Sequence, residues 1–355
     1  MGRKYIVRSR HAARFFWWPS IAGRQDMPRI DQDSLDCVFY LYPSIVEAQE
    51  GKSGAKRGGS GFFISTPFPD VPGVGVLFAV TASHVINRGS DVIRLNAKDG
   101  SLIFKETDAR EWFHHPDGAD IAILPVEVDK DVTRFRCLPR AQFALKKLID
   151  DMDVGAGDNI FIVGRFINQE GTLQNTPTAR FGHLAQMPVE KITSDDGEEQ
   201  ESYLVEVRSI GGFSGSPVFI YFEPFGIKGG RKLKIEIKND DFIGPWLLGI
   251  DWCHTHNWLP VCDRNGEPIS KVGDQIVGSN TGMMGVIPAW KLEEMLAMPK
   301  IKKVIDDAQQ AFLNERGPPK VSLDSAGTVE NSTHREDFNR LLGAAVKPPK
   351  SSDQT

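Results

Sequence analysis

The chain has 355 residues, 40% hydrophobic and 25% charged, with a formal net charge of −5. That is ordinary for a soluble globular protein and long enough for one large or two modest domains. So small a charge gives no global field pointing to nucleic acid or a membrane, and four cysteines (Cys37, Cys137, Cys253, Cys262) are too sparse for a disulfide scaffold, fitting free thiols in a reducing, cytoplasmic setting.

Residues 1–34 read as an N-terminal arm, basic at Arg3, Lys4, Arg8, Arg10 and Arg14 and aromatic from Phe15 to Trp18. The apolar run "FFWW" is shorter than the roughly 7–15 residues of a signal-peptide core, and no later stretch approaches the ~20 apolar residues of a membrane span. From about Asp36 short apolar runs alternate with Gly, Pro and Asp: "CVFYLY", "GSGFFIST", "VLFAVTA", "DVIRLN", "SLIFK" and "DIAILPV". A connector from about Phe135 to Met152 is helical in part. Then come "NIFIVGRF", "TARFGHLA", "YLVEV", "SPVFIYF", "KLKIEI" and "WLLGIDW". These runs are strand-length, rich in Val, Ile and Phe, and bounded by turn residues. They predict an all-β fold in two groups, each large enough for a small barrel: 35–140 and 150–300. "PAWKLEEMLAM" predicts a closing helix, with Trp290, Leu292, Met295 and Leu296 on one face and Pro288 at its start. A second helix is expected from Ile301 to Leu313. The remainder of 301–355 is a mostly disordered polar tail, whose last apolar patch, "EDFNRLLGAAV", could dock on a protein partner.

The stretch "GGFSGSPVF" places Ser214 among small residues. A serine hydroxyl needs a base within hydrogen-bond reach, a third group to orient that base, and donors for a developing oxyanion. Gly212 and Ser214 would supply two backbone N–H donors. Among eight histidines, His84 alone sits in an apolar strand end flanked by small residues, "FAVTASHVI". Asp120, immediately ahead of the strand "IAILPV", is the candidate carboxylate, with Asp117 as its rival. The plainer alternatives are a structural glycine turn at Ser214, a core histidine at His84 and a strand-start cap at Asp120. His114 and His115 read as surface residues. "CHTH", from Cys253 to His256, carries metal-capable atoms but lacks the paired spacing of a structural zinc site. "KSGAKRGGSG" lacks the spacing of a phosphate loop. No metal or cofactor is expected.

"GSGFFIS", "FAVTASHV", "DGADIAILPV", "GGFSGSPVF" and "WLLGIDW" follow one another in the order seen in the trypsin-like serine peptidases, and the chain resembles that family from roughly Asp36 to Leu296, nearest its bacterial high-temperature-requirement branch. The resemblance implies two Greek-key β-barrels and hydrolysis of protein or peptide substrates through an acyl-enzyme. His84 would be general base and acid, Asp120 its orienter, Ser214 the nucleophile, and Gly212 and Ser214 the oxyanion hole. Arg208, Ser209 and Trp252 would line the substrate pocket, with Arg208 favouring an acidic side chain. Phe213 stands where the digestive enzymes carry the aspartate used in zymogen activation, so cleavage-driven activation is not expected. Ser216 replaces a commoner glycine, and Asp251 stands where a serine is common. No appended PDZ-like domain is expected. The rival of another class is a dormant or non-catalytic peptidase-like domain that binds a protein partner. An α/β-hydrolase esterase fits poorly, because Ser214 leads into a strand rather than a helix.

Overall fold

A computed structural model describes residues 30, 32–51, 58–71, 73–207, 211–222, 232–234, 244–265, 267 and 276–316. Most of the arm, the polar tail from residue 317, the second half of "KLKIEI" and the pocket candidates Arg208 and Ser209 lie outside them. The chain divides into a compact unit ending at Gln309 and a second from Gln310 onward, of which 310–316 are described.

The first half contains α1 (Gln32–Asp36), β1 (Val38–Tyr42), α2 (Ile45–Glu50), β2 (Gly59–Pro67), β3 (Gly75–Thr81), α3 (Ser83–Asn87), β4 (Val92–Ala97), β5 (Leu102–Glu106), β6 (Phe113–His114), β7 (Ala122–Pro125), β8 (Thr133–Arg134) and β9 (Leu138–Pro139). The second contains α4 (Lys146–Asp151), β10 (Asn159–Gly164), β11 (Thr178–Gln186), β12 (Lys191–Thr193), β13 (Glu199–Glu201), β14 (Tyr203–Glu206), β15 (Pro217–Ile220), β16 (Trp246–Pro260), β17 (Ile276–Pro288), α5 (Ala289–Leu296) and α6 (Pro299–Arg316). The apolar runs other than "KLKIEI", whose described residues 232–234 are not in a strand, therefore fold as strands, and the connector and closing helices are helical as expected.

The two strand groups close differently. β10-β11-β14-β17-β16-β15 form a closed antiparallel barrel. The first group forms a nine-stranded sheet ordered β5-β4-β1-β2-β3-β7-β6, with β8 beside β4 and β9 beside β2. One of the two expected barrels is thus closed. In the other, β6, β8 and β9 span two residues each, too little backbone for a closing ladder.

Burial explains the strand choice. Phe39, Leu41, Phe63, Leu77, Ile93, Leu95, Trp112 and Leu124 form one core, and Ile160, Ile162, Leu184, Val205, Phe213, Val218, Leu248, Met284 and Val286 form the core of the barrel. β1 alternates about its pleat. Phe39 and Leu41 enter the apolar core, whereas Tyr42 meets a buried polar layer. There Arg94 donates to the Tyr42 hydroxyl at 2.8 Å, and the Arg165 guanidinium stacks 4.1 Å from the Tyr42 ring centroid and pairs with Glu170. α5 buries Trp290, Leu292, Met295 and Leu296, the face its spacing predicts. Among the described residues, no helix is long and apolar enough to cross a membrane.

Candidate functional site

His84 is the second residue of the one-turn helix α3 rather than part of a strand end, because β3 stops at Thr81. Two bonds fasten this turn to the loop ahead of β7. The Ser83 hydroxyl donates to the Ile121 carbonyl at 2.8 Å, and the His84 N–H donates to Asp120 Oδ1 at 2.7 Å. The other carboxylate oxygen, Oδ2, lies 2.5 Å from His84 Nδ1. A carboxylate accepts, so Nδ1 carries the proton and Nε2 keeps a lone pair. One aspartate thereby fixes both the main chain and the tautomer of the histidine. Both side chains are largely but not fully buried, 23% exposed for His84 and 12% for Asp120. Asp117 is exposed, and its N–H donates to His115 Nδ1; Asp120 is the carboxylate on His84.

Ser214 is half-buried in the turn that precedes β15. Gly212 and Gly215 adopt φ of 100° and 85°, a region L side chains rarely enter. Phe213 between them is fully buried in the barrel core. The Ser60 hydroxyl donates to the Gly212 carbonyl at 2.8 Å, and the Ser60 N–H donates to the Ser214 carbonyl at 2.9 Å. The Phe213 carbonyl accepts the Ser216 N–H at 2.8 Å, and the Gly215 N–H donates to the Asp251 carbonyl at 2.8 Å. A Cβ on Gly215 would lie 2.2 Å from the Ser60 carbonyl oxygen, 2.3 Å from Thr81 Oγ1 and 2.9 Å from the Ala82 nitrogen, so only glycine fits. A Cβ on Gly59 would meet the Ser214 carbonyl oxygen and Val85 Cγ2 alike, each at 2.8 Å. The Ser214 carbonyl and Val85 of the helix that carries His84 thus both close on Gly59, and Gly215 closes on Ala82 at the head of that helix. Among the described residues, neither the Gly212 nor the Ser214 amide has an acceptor.

Trp252 is buried, its indole N–H donating to Ser202 Oγ at 2.8 Å and its ring beside Gly285. Cys253, next along β16, has its thiol pushed up to about 12, by burial first and then by the Asp251 carboxylate. His114 is half-buried, with Nδ1 2.8 Å from Ser83 Oγ, and burial lowers its pKa. His115 is buried, correcting the surface reading, because the turn at Asp117 and Gly118 folds it inward. Burial first and Lys291 second hold its pKa down.

One group of metal-capable side chains converges among the described residues: the ligand atoms of His115, Asp117 and Glu294 lie within 4.8 Å of one another. The Asp117 N–H bonded to Nδ1 puts the ring proton on Nε2, which faces Glu294 Oε2 at 3.5 Å. Lys291 Nζ lies 3.1 Å from the same oxygen. A protonated Nε2 beside an ammonium suits a link between loop and α5 better than a cation site. In "CHTH", His256 Nδ1 lies 2.5 Å from Asp195 Oδ2, and the His254 and His256 rings stand edge to face at 4.8 Å.

The reading of the sequence missed Ser60 and the β12–β13 hairpin. That hairpin braces the site from outside: Gln200 Nε2 donates to the Gly118 carbonyl at 3.0 Å, and Asp196 pairs with Arg88, the C-cap of α3, at 3.0 Å. The Asp196–Gly197 dipeptide between polar strands was its available signal, with Gly197 at φ 84°.

No family model and no curated protein matches the chain. Among solved structures, Deg5 is similar at 16% identity and a TM-score of 0.36, over 62% of this chain and 81% of that one. The Rv3671c protease in an inactive form is similar at 16% identity and a TM-score of 0.38, over 74% of this chain and 89% of that one. The HtrA-type protease AlgW with a decapeptide is similar at 13% identity and a TM-score of 0.38, over 78% of this chain and 66% of that one.

Proposed function

We propose that the chain is a serine endopeptidase, with Ser214 as nucleophile, His84 as general base and acid, and Asp120 as orienter of the imidazole. The observation that carries this reading is the double use of Asp120 by His84, with the Ser214 turn seated against the same helix. Ser214 Oγ would attack the scissile carbonyl while His84 Nε2 takes its proton and then delivers it to the leaving amine. The Asp120 carboxylate would stabilise the imidazolium formed between these steps. The Gly212 and Ser214 amides, without acceptors among the described residues, would receive the oxyanion. Water activated by the same histidine would release the acyl group. Substrates would be proteins or peptides, with Trp252, Arg208 and Ser209 near the pocket for the residue before the scissile bond. The free thiols of Cys37, Cys137, Cys253 and Cys262 support a reducing, cytoplasmic location.

The test is labelling of the purified chain by a fluorophosphonate, which needs an activated serine and no knowledge of substrate. Wild type is expected to label, while Ser214→Ala and His84→Ala do not. Folded wild-type protein that stays unlabelled would refute the enzyme and favour the dormant binding module.

A further inference from the structure

We infer that Ser60 is a positioning residue for this chemistry, aiming the two oxyanion amides by clamping the carbonyls beside them; the inference rests on the reading of the site proposed above. Ser60 is the second residue of β2 and fully buried. Each of its polar groups is used. The hydroxyl donates to the Gly212 carbonyl and accepts the Arg165 N–H, both at 2.8 Å. The N–H donates to the Ser214 carbonyl at 2.9 Å, and the carbonyl accepts the Thr81 hydroxyl at 2.7 Å. One residue therefore joins the serine turn, the end of β10 and the strand that leads into the His84 helix.

Peptide planarity turns these bonds into direction. The carbonyls of Gly212, Phe213 and Ser214 are held by Ser60 Oγ, the Ser216 N–H and the Ser60 N–H respectively. With the Phe213 carbonyl fixed, the plane that carries the Ser214 N–H is fixed. The Gly212 carbonyl shares its plane with the Phe213 N–H, and the Gly212 N–H follows from it through the two torsions of that glycine, of which φ is 100°. The carbonyls face inward, and the two amides are left for a developing negative charge. Ser60 touches no substrate in this scheme; it acts through Gly212 and Ser214.

An alanine at 60 offers neither donor nor acceptor. The Gly212 carbonyl loses its partner and so does the Arg165 N–H. The main-chain bond to the Ser214 carbonyl remains, so the variant loosens the Gly212 end alone.

The experiment is the kinetics of fluorophosphonate labelling with the full chain, comparing wild type, Ser60→Ala and Ser60→Thr, with Ser214→Ala as blank. Ser60→Ala is expected to lower the maximal labelling rate by about 10- to 100-fold, less than the roughly 10²–10³ for outright removal of an oxyanion donor, because the amide is misaimed rather than lost. The probe concentration at half-maximal rate should stay within about threefold, and the pH midpoint of labelling should not move. Ser60→Thr, which keeps the hydroxyl, should stay close to wild type. In parallel, the Gly212 and Ser214 amide resonances of ¹⁵N-labelled protein are compared between wild type and Ser60→Ala. A folded Ser60→Ala chain labelling within twofold of wild type overturns the inference, as does a loss confined to probe binding. Wild type that does not label refutes the peptidase reading instead; the clamp is then judged on the amide resonances, which shift in Ser60→Ala if it exists and stay in place if it does not.

Discussion

Replacing Glu170 by Leu tests whether the polar layer beneath the serine turn is a structural necessity. Arg165 follows β10 directly, and its guanidinium is completely buried, with the Glu170 carboxylate only 4% exposed beside it. The guanidinium also donates to the Leu41 carbonyl at 3.2 Å and stacks on Tyr42. A Cβ on Gly58 would fall 2.2 Å from one of its nitrogens, so the guanidinium packs directly on that glycine. Glu170→Leu leaves that buried cation without its carboxylate, a loss of about 3–5 kcal/mol. With a urea dependence of about 3 kcal/mol per molar, a 4 kcal/mol loss lowers the midpoint by about 1.3 M. Arg165→Met combined with Glu170→Leu removes the charge with its partner and should recover most of the loss, because two apolar side chains can occupy a buried pair's place at little net cost. The assay is urea unfolding followed by tryptophan fluorescence, checked for two-state behaviour with circular dichroism. A shift below about 0.3 M for the single variant, or a double variant less stable than the single, would refute the reasoning.

His115 gives a pH dependence with a definite sign. Burial and then Lys291 hold its folded pKa below the ordinary 6.5, so as pH falls through that ordinary value the unfolded chain takes up a proton the folded chain refuses. Its contribution is present above about pH 6.5 and lost toward the lower folded value. Asp117 and Glu294, which also face the ring, oppose the shift without reversing it. His115→Gln should therefore flatten the fall in stability between pH 7 and 5.5, read as urea midpoints; an unchanged slope would count against a neutral buried ring. Cys253, pushed up to about 12, exposes a thiolate fraction of about 10⁻⁴ at pH 8. Iodoacetamide at that pH should modify exposed Cys262 well before Cys253, as read by peptide mass mapping, and equal rates would contradict the burial of that thiol.

The strands were legible because most are apolar runs closed by turn residues, and the closing helix because Trp290, Leu292, Met295 and Leu296 share a face. The candidate residues were legible as a set of chemistries in a familiar order. What held them was not. "TASHVI" reads as strand from its Thr, Val and Ile, yet α3 forms because Ser83 and His84 bond to Ile121 and Asp120, which lie 38 and 36 residues away. His115 read as surface because nothing local shows that α5 will cover it. Ser60, between two glycines in "GSGFFIS", carries no local signal; its hydroxyl is committed to partners 152 and 105 residues downstream. The open pairing of the first half was equally hidden, because β6, β8 and β9 are too short to leave a periodic signature.

Position and direction are set by different interactions in this turn. Phe213, fully buried in the barrel core, fixes where the turn sits, since apolar burial is strong but nearly indifferent to orientation. Orientation comes from the hydroxyls of Ser60, Ser83 and Thr81 and from the Asp120 carboxylate, each bonded to main chain. A hydrogen bond weakens steeply off axis, so such a frame resists rotation of a peptide plane in a way hydrophobic contact cannot. Aiming two amides at one developing charge, the role proposed for Gly212 and Ser214, would need that resistance. It also explains why small hydroxyl residues surround the serine at the places where a core would otherwise take valine or alanine.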